Sequence, residues 1–179
     1  MTGPASFPTS SWPRGRARDG GIDQVPLPAG VRGSLYLCGK HAVAPDVEAV
    51  IDALDVTTLV CLTERHELSD RYPGYVAWLD ANIGERALWL PVPDLHAPPL
   101  DDVVTLLSDV RARLERGGIV LVHCAAGIGR AGTLAICLLI TMGMHADEAL
   151  AHVAAHRPMA GPEVGAQRTL VDTIAALAR

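Results

Sequence analysis

The sequence predicts a single α/β domain with a central, largely parallel sheet of four to five strands and helices on both faces. Short β-branched or aliphatic runs alternate along the chain with longer segments whose apolar residues recur at helical spacing. The run 56–62 is almost wholly apolar, as expected of a strand that is covered on both faces. A chain of 179 residues also has the length of one domain.

Apolar periodicity and the positions of glycine and proline define the individual elements. Strands are predicted at 34–38, 56–62, 87–92 and 119–122. A helix is predicted after Pro45, because the missing N–H of proline costs nothing in a first turn. The other predicted helices are 72–83, 100–116, 134–142, 146–156 and 163–177. Ligands of such sheets bind beyond the C-terminal ends of the strands, so we expect the loops after Leu62, Val92 and Val122 to converge.

Residues 1–30 are predicted to be a flexible N-terminal arm. They are rich in Pro, Gly, Ser and Arg and show no apolar periodicity, so they bury too little apolar surface to fold. The folded domain is therefore expected at 31–179.

Composition argues against several function classes. A net charge of −5 argues against nucleic acid as a partner, since binding to phosphate backbones relies on a basic surface. No apolar run reaches the roughly 20 residues of a membrane span, and none follows the first basic residues as in a secretory signal. The four cysteines lack paired spacing, which favours a reducing compartment. We therefore expect a cytoplasmic monomer without metal or cofactor.

The segment 120–133 joins a cysteine at the end of a strand to an arginine at the start of a helix. Cys124 follows the apolar run, with His123 beside it, and the glycines of the next residues permit a tight turn. Backbone N–H groups in such a turn form a nest that holds a tetrahedral anion and favours a thiolate. Arg130 can offer a planar fork to two phosphate oxygens. The expected phosphate-binding residues are Ala125, Ala126, Gly127, Ile128, Gly129 and Arg130. A nucleophile, a cradle and a clamp together can form a cysteinyl-phosphate.

The run from His123 to Arg130, HCAAGIGR, resembles the signature loop of the cysteine-dependent protein tyrosine and dual-specificity phosphatases. The resemblance extends from about Ser34 to Leu177 and is closest to small atypical dual-specificity phosphatases. Its outer parts are Leu35-Tyr36-Leu37, Leu62-Thr63-Glu64-Arg65, and Arg157-Pro158 followed by Gly161-Pro162-Glu163. It implies a phosphatase catalytic domain at 31–179, with Cys124 as nucleophile and His123 in a supporting role.

A cysteinyl-phosphate mechanism needs a general acid, and Asp94 is the candidate. Asp94 lies on a proline-bounded loop, after a strand predicted to neighbour the strand of Cys124, and 91–98 resembles the mobile acid loop of the family. The resemblance also implies that Gln167 positions the hydrolytic water. Ala131 stands where the family usually has a hydroxyl that helps the thiolate leave, which predicts slow phosphoenzyme hydrolysis. The plainer alternatives are a turn residue for Asp94 and a solvated helix residue for Gln167.

The expected substrate is a phosphoprotein or a small phosphoester. The variable loop positions Ala125, Ala126 and Ile128 carry no lysine, whereas relatives that act on inositol lipids often have lysines there. Two other functions stay open: a module that binds phosphate with little turnover, and a sulfurtransferase that uses the loop cysteine. The presence of the cysteine, the arginine and an upstream acid together favours a phosphatase over both.

Overall fold

The computed structural model describes residues 21–178 of the chain, so residues 1–20, most of the predicted flexible arm, lie outside the described part. Five strands form one sheet: β1 (Ile22–Val25), β2 (Ser34–Gly39), β3 (Thr58–Cys61), β4 (Ala87–Trp89) and β5 (Ile119–Cys124). The strand order is β1-β2-β5-β3-β4. β1 pairs antiparallel with β2, and all other pairs are parallel. The predicted fold class is thus confirmed.

Eight helices in the described part cover the two faces of the sheet. They are α1 (Lys40–Val43), α2 (Val47–Leu54), α3 (His66–Ser69), α4 (Pro73–Asn82), α5 (Leu100–Glu115), α6 (Gly129–Thr141), α7 (Ala146–His156) and α8 (Gly165–Leu177). Apolar side chains of α1 to α4 form one buried core, and those of α5 to α8 form the other. None of these eight helices is long and apolar enough to span a bilayer.

β5 is the central strand of the sheet, so its C-terminal end lies midway along the side of the sheet where the parallel strands end. It lies between β2 and β3, where both neighbours cover its backbone. Successive side chains of a strand point to opposite faces, so Leu121 enters one core while Val120 and Val122 enter the other. This two-sided burial explains why the strand is an unbroken apolar run. Its last residue, Cys124, is opposite Gly39 of β2.

The predicted end of the flexible arm at residue 30 is wrong, because Ile22–Val25 form β1. These four residues pair with β2, and Val25 is fully buried. The strand stands between Gly21 and Pro26, and four residues are too few to show a periodic pattern. Pairing with β2, which the sequence does not reveal, stabilises this segment.

Two further expectations are corrected. β4, which precedes Asp94, pairs with β3 and lies one strand away from β5, so it is not the predicted neighbour of the cysteine strand. The order of strands depends on contacts distant in sequence, which periodicity does not reveal. The polar segment after β3 contains the short helix α3, and α6 begins at Gly129, within the loop, and not at residue 134.

Candidate active site

Cys124 is the last residue of β5, and α6 begins at Gly129, so a turn of four residues joins the central strand to a buried helix. The cysteine is only 3% exposed. Within the turn Ala126 is exposed and Ala125 is half-buried, while Gly127 and Ile128 are buried. The predicted cradle therefore forms a continuous segment at the C-terminal edge of the sheet.

All four carbonyls of residues 125–128 accept hydrogen bonds from groups outside the turn. The backbone N–H of Lys40 donates to the first at 3.1 Å. The guanidinium of Arg157 donates to the second at 3.0 Å and to the third at 2.6 Å. The fourth accepts from the backbone N–H groups of Gly132 and Gly161, at 2.8 and 3.3 Å. The carbonyl side of the turn is therefore fully occupied.

The N–H side of the same turn is open. Within residues 21–178, none of the backbone N–H groups of 125–128 donates a hydrogen bond. The first N–H groups of α6 continue the series, because a helix N-terminus has no intrahelical acceptors for them. Several convergent donors at the positive end of a helix dipole make a binding site for an anion. The unbonded N–H groups of the turn thus lie directly after Cys124, where the cradle was predicted.

Gly127 shows why the turn needs glycine at its centre. Its φ is +71°, a conformation that L-residues with a side chain rarely adopt. A Cβ at this position would lie 2.3 Å from the backbone carbon and oxygen of Cys38. Close packing of the turn against β2 therefore excludes any side chain there.

Arg130 lies in the first turn of α6, and its side chain is only 2% exposed. Its Nη1 and Nη2 donate to the two carboxylate oxygens of Glu67, at 2.7 and 3.0 Å. Nη1 also donates to the carbonyl of Val92 at 2.7 Å, and Nη2 lies 3.1 Å from Oδ1 of Asp94. Its Nε–H makes no hydrogen bond within the described part of the chain. The predicted clamp and the predicted acid are thus in direct contact.

Glu67 is a site residue that the sequence did not predict. Burial disfavours its charge, but hydrogen bonds from Arg130 and from the backbone N–H of Glu64 outweigh that effect and lower its pKa. Burial likewise disfavours the charge of Arg130, yet the bond to Glu67 holds the pKa of the guanidinium above its usual value. The pair is therefore ionised. The only signal in the sequence is an acidic residue shortly after a strand that was expected to end at the site.

Asp94 lies on the loop that follows β4, and its side chain is 67% exposed. The loop folds locally: the N–H of His96 donates to the carbonyl of Pro93, and Nδ1 of His96 donates to the carbonyl of Asp94 at 2.7 Å. This arrangement presents the carboxylate to both Arg130 and solvent. A carboxyl group so placed can exchange protons with water.

Gln167 is 1% exposed and joins two loops at the site. Its Oε1 accepts from the N–H of Glu163 at 2.8 Å, and its Nε2 donates to the carbonyl of His96 at 3.1 Å. The amide side chain therefore connects the segment before α8 to the loop of Asp94. The alternative of a solvated helix residue is excluded.

His123 is fully buried beneath the cradle. Its Nε2 lies 2.6 Å from the hydroxyl of Tyr75, and its Nδ1 lies 3.4 Å from the carbonyl of Cys124. A carbonyl only accepts, so Nδ1 carries the proton and Nε2 accepts from Tyr75. Burial lowers the pKa of His123 to about 4, and the ring is neutral at pH 7.

The other cysteines have no role in this site. Cys38, Cys61 and Cys137 are free thiols, as is Cys124, and all are buried. Burial raises the pKa of each of these three thiols to about 12. Thiols in this state pack as small apolar side chains. Within residues 21–178, no cluster of three or more His, Cys, Asp or Glu side chains could hold a metal ion.

Residues 31–175 match the family model named PTP-SAK, which describes a Swiss Army Knife protein with a DSP-PTPase phosphatase domain. Among curated proteins, the chain is similar to dual specificity protein phosphatase 14 of Mus musculus, with 35% identity over 85 residues. That match covers 46% of this chain and 43% of the relative. Dual specificity protein phosphatase 5 of Homo sapiens is 34% identical over 82 residues, which cover 43% of this chain and 21% of the relative. The chain thus matches less than half the length of these relatives.

Solved structures show the same fold. Tk-PTP in its active form is similar with a TM-score of 0.67 and 24% identity, over 86% of this chain and 97% of that one. Kinase associated phosphatase with its catalytic cysteine replaced by serine gives a TM-score of 0.70 and 20% identity, over 87% and 96%. Human DUSP28 gives 0.64 and 20%, over 87% and 94%. At these identities the likeness concerns the fold alone.

Proposed function

Because the chain belongs to the family of DSP-PTPase phosphatase domains named PTP-SAK, we propose that it hydrolyses the phosphomonoesters of phosphoproteins through a cysteinyl-phosphate. One observation carries the proposal above all. The four loop carbonyls are bound away from the site and the four N–H groups are left open beside Cys124, as an oxyanion cradle requires. The free state of all four cysteines fits the cytoplasmic location that we also propose.

In the first step, the Cys124 thiolate attacks phosphorus and the bond to the ester oxygen breaks. The equatorial oxygens lie against the loop N–H groups and Arg130, which stabilise their charge. Asp94 in its acid form gives its proton to the departing alkoxide or phenoxide. The products of this step are the free alcohol, a carboxylate and a cysteinyl-phosphate.

In the second step, water attacks phosphorus and the thiolate leaves. Asp94, now a carboxylate, takes the proton of the water, which restores the acid for the next turnover. Gln167 orients the water: one of its two Nε2 hydrogens goes to the His96 carbonyl, and the other remains for this role. Ala131 has no hydroxyl to assist the leaving thiolate, so this step is the slower one and phosphoenzyme accumulates.

Phosphate binding and the acid are coupled through Arg130. Oδ1 of Asp94 lies 3.1 Å from Nη2 of Arg130, whose Nε–H makes no hydrogen bond within the described residues, while Glu67 occupies the edge formed by Nη1 and Nη2. A phosphate that takes Nε and Nη2 as a bidentate pair displaces Asp94 from the arginine.

Turnover of p-nitrophenyl phosphate tests the nucleophile. We expect an initial burst of p-nitrophenol in the native protein and loss of turnover in Cys124→Ser, with binding of vanadate retained. Cys137→Ala serves as the matched control, because Cys137 is also buried but lies within α6, away from the loop. Full turnover in Cys124→Ser would contradict the proposal. Transfer of sulfur from thiosulfate to cyanide, without phosphatase turnover, would instead support the sulfurtransferase.

The acid is tested with Asp94→Asn and two substrates whose leaving groups differ in basicity. The ratio kcat/KM reports the first step, in which the leaving group departs. Phenoxide needs protonation more than p-nitrophenoxide does, so we expect kcat/KM for phenyl phosphate to fall roughly 10²-fold or more, and kcat/KM for p-nitrophenyl phosphate to fall less. Equal losses on both substrates would show that Asp94 is not the acid.

A further inference from the structure

A groove of about 750 Å³ opens beside the candidate active site, and none of the proposed chemistry uses it. Its volume is in the range of ligand-binding pockets. The groove is lined by Glu64, Arg65, His66, Ser69, Asp70, Ile83, Trp89 and Pro91. These residues come from α3 and the residues that flank it, from the end of α4, and from the end of β4 and the loop that follows.

The groove adjoins the site through its backbone. The N–H of Glu64 donates to Oε1 of Glu67, the carboxylate that holds Arg130. Pro91, which also lines the groove, immediately precedes Val92, whose carbonyl accepts from the same arginine. A chain that emerges from the cradle therefore has a path into the groove.

Trp89 and Ile83 give the groove its large apolar side chains. The indole N–H of Trp89 donates to the carbonyl of Thr63 at 2.8 Å, which fixes the ring. The guanidinium of Arg65 lies over that ring, with its carbon 4.8 Å from the centroid. Ile83 is 56% exposed at the far end, where a bulky apolar side chain has no folding role. A ring held in place and an exposed isoleucine can together accept an apolar side chain.

The net charge of the groove is negative. Arg65 is neutralised by Asp80, with Nη2 and Oδ1 2.5 Å apart. Glu64 has only His66 near it, at 3.9 Å, and Asp70 has no ion-pair partner within the described residues. Two carboxylates thus face the groove without a permanent cation. Basic side chains complement such a surface, and acidic ones are repelled by it.

We propose that this groove binds the polypeptide segment next to the phosphorylated residue of the substrate, and that it favours basic and apolar side chains there. The proposal rests on the proposed phosphatase function. The cradle binds only the phosphate group, which all phosphoproteins share, so it offers little selectivity among them. Selection then comes from the groove, where a Lys or Arg pairs with Glu64 and Asp70, and an aliphatic or aromatic side chain packs on Trp89 and Ile83.

The test compares phosphopeptides of one alanine-rich sequence, in which Lys, Leu or Glu is placed in turn at each of the four positions on either side of the phosphoresidue. We expect kcat/KM to be roughly three- to tenfold higher with Lys than with Glu at one or two positions, the size of one or two exposed ion pairs. The phosphoresidue is phosphotyrosine or phosphothreonine, whichever the protein hydrolyses faster. Equal rates for the Lys and Glu peptides at every position would overturn the proposal.

Charge reversal links the preference to the groove. In Asp70→Lys the preference for Lys peptides is expected to disappear or invert, while hydrolysis of p-nitrophenyl phosphate, which has no flanking residues, stays unchanged. Asp172→Lys makes the same change in net charge at an exposed position of α8 that does not line the groove, and it should keep the native preference. Ile83→Ser is expected to remove the preference for Leu alone.

The outcomes separate this proposal from the proposed function. If p-nitrophenyl phosphate is not hydrolysed at all, the phosphatase function fails. If it is hydrolysed and Asp70→Lys keeps the native peptide preference, only the groove proposal fails. If sedimentation shows a dimer that Ile83→Ser dissociates, without any effect on peptide preference, the groove binds a second copy of this chain and the proposal is likewise overturned.

Discussion

Glu67 fixes the orientation of the Arg130 guanidinium. Both of its carboxylate oxygens are bound to the guanidinium, and its side chain is 13% exposed, so water screens the pair weakly. A bidentate contact fixes the plane of the guanidinium as well as its position. The phosphate clamp therefore depends on a residue 63 positions earlier in the chain.

Replacing Glu67 by Gln keeps the size of the side chain but removes its charge and one of the two acceptor oxygens. We expect kcat/KM for p-nitrophenyl phosphate to fall about tenfold or more, because misoriented catalytic groups are costly. Glu48→Gln is the matched control, since Glu48 makes the same bidentate pair with Arg86 on the exposed surface. Similar kinetics for both variants would exclude the orienting role.

A side chain added to a glycine can be destabilising through backbone strain or through steric overlap, and a comparison of Gly127 with Gly84 distinguishes the two effects. Both glycines have positive φ, but a Cβ on Gly84 meets nothing within 4 Å, whereas one on Gly127 meets the backbone of Cys38. Gly84→Ala should lower the free energy of unfolding by about 1 kcal/mol through backbone strain. Gly127→Ala should cost at least about 2 kcal/mol more, with loss of phosphatase activity. Urea denaturation measures both, and equal losses would contradict the packing argument.

Local sequence patterns predict individual residues well only where the chemistry is also local. Cys124 and Arg130 are six positions apart, and strand, turn and helix periodicity place them on one loop. Asp94 was found through the form of its own loop, and the structure brings it to the arginine. Glu67 and Arg157 could not be placed in the same way. Each acts on a loop distant in sequence, and nothing in its own segment indicates which loop that is.

At the scale of elements, a hydrogen bond joins α4 to β5 below the active site. Tyr75 on α4 donates to His123 on β5 in a fully desolvated environment. In the neutral ring, Nδ1 donates to the carbonyl of Cys124 and Nε2 accepts from the Tyr75 hydroxyl. In a protonated ring Nε2 would become a donor, and the proton of the hydroxyl would lose its acceptor. Together with burial, this arrangement favours the uncharged histidine.

The stability of the protein should therefore depend on pH in a defined window. The unfolded chain binds a proton at His123 near pH 6.5, while the folded protein does so only near pH 4. The contribution of the neutral His123 ring to the free energy of unfolding is fully present above pH 6.5. It is lost as the pH drops towards 4, and the loss is on the order of 3 kcal/mol. Denaturant titrations between pH 7.5 and 4 measure this slope. The stabilisation that comes from the lowered pKa of Glu67 is fully present above the ordinary pKa of 4.5. It is lost only as the pH falls below that value, outside most of the window.

The His123→Gln variant provides the control for this slope. It should be less stable at neutral pH, because the glutamine does not reproduce the ring packing, and its stability should vary less between pH 6.5 and 4.5. An unchanged slope in the variant would assign the pH dependence to other groups.

Elements with strong periodicity were predicted to within a residue or two. α7 has the predicted bounds, and α5 ends one residue before the predicted end. β1 was missed because its identity as a strand comes from pairing with β2. The order of β3, β4 and β5 was only partly anticipated, since the apolar runs indicate that strands exist but do not indicate which strands are neighbours.

At the scale of the whole molecule, β1, the first strand of the described residues, is linked to the candidate active site through Arg157. This arginine follows α7 and is completely buried, and its Nη1 lies 2.6 Å from Oδ2 of Asp23 on β1. The same guanidinium bonds the carbonyls of Ala126 and Gly127. One buried cation therefore connects the beginning of the described chain, its C-terminal part and the cradle.

Replacing Asp23 by Asn leaves the charge of Arg157 buried beside a neutral amide. We expect a loss of about 3 kcal/mol in the free energy of unfolding, since removing one partner of a buried pair is strongly destabilising. Asp80→Asn, which breaks the exposed pair with Arg65, should cost less than about 1 kcal/mol. Thermal or urea denaturation distinguishes the two, and a loss below 1 kcal/mol for Asp23→Asn would contradict the role assigned to β1.

The resemblance that the loop and its flanking segments showed to dual-specificity phosphatases is confirmed by the family model over residues 31–175. That model starts after β1, so the part of the fold that carries Asp23 lies outside the match.

The four bound carbonyls of the turn have a consequence for its shape. Their donors belong to α1, to the segment after α7, to α6 and to the stretch before α8. The eight residues HCAAGIGR contain the chemistry but not the restraints that keep their amides aligned. Grafted between a strand and a helix of another protein, they would carry a reactive thiol on a turn free to satisfy its own amides. The phosphate recognition that we propose is thus a property of the folded domain and not a portable property of its signature loop.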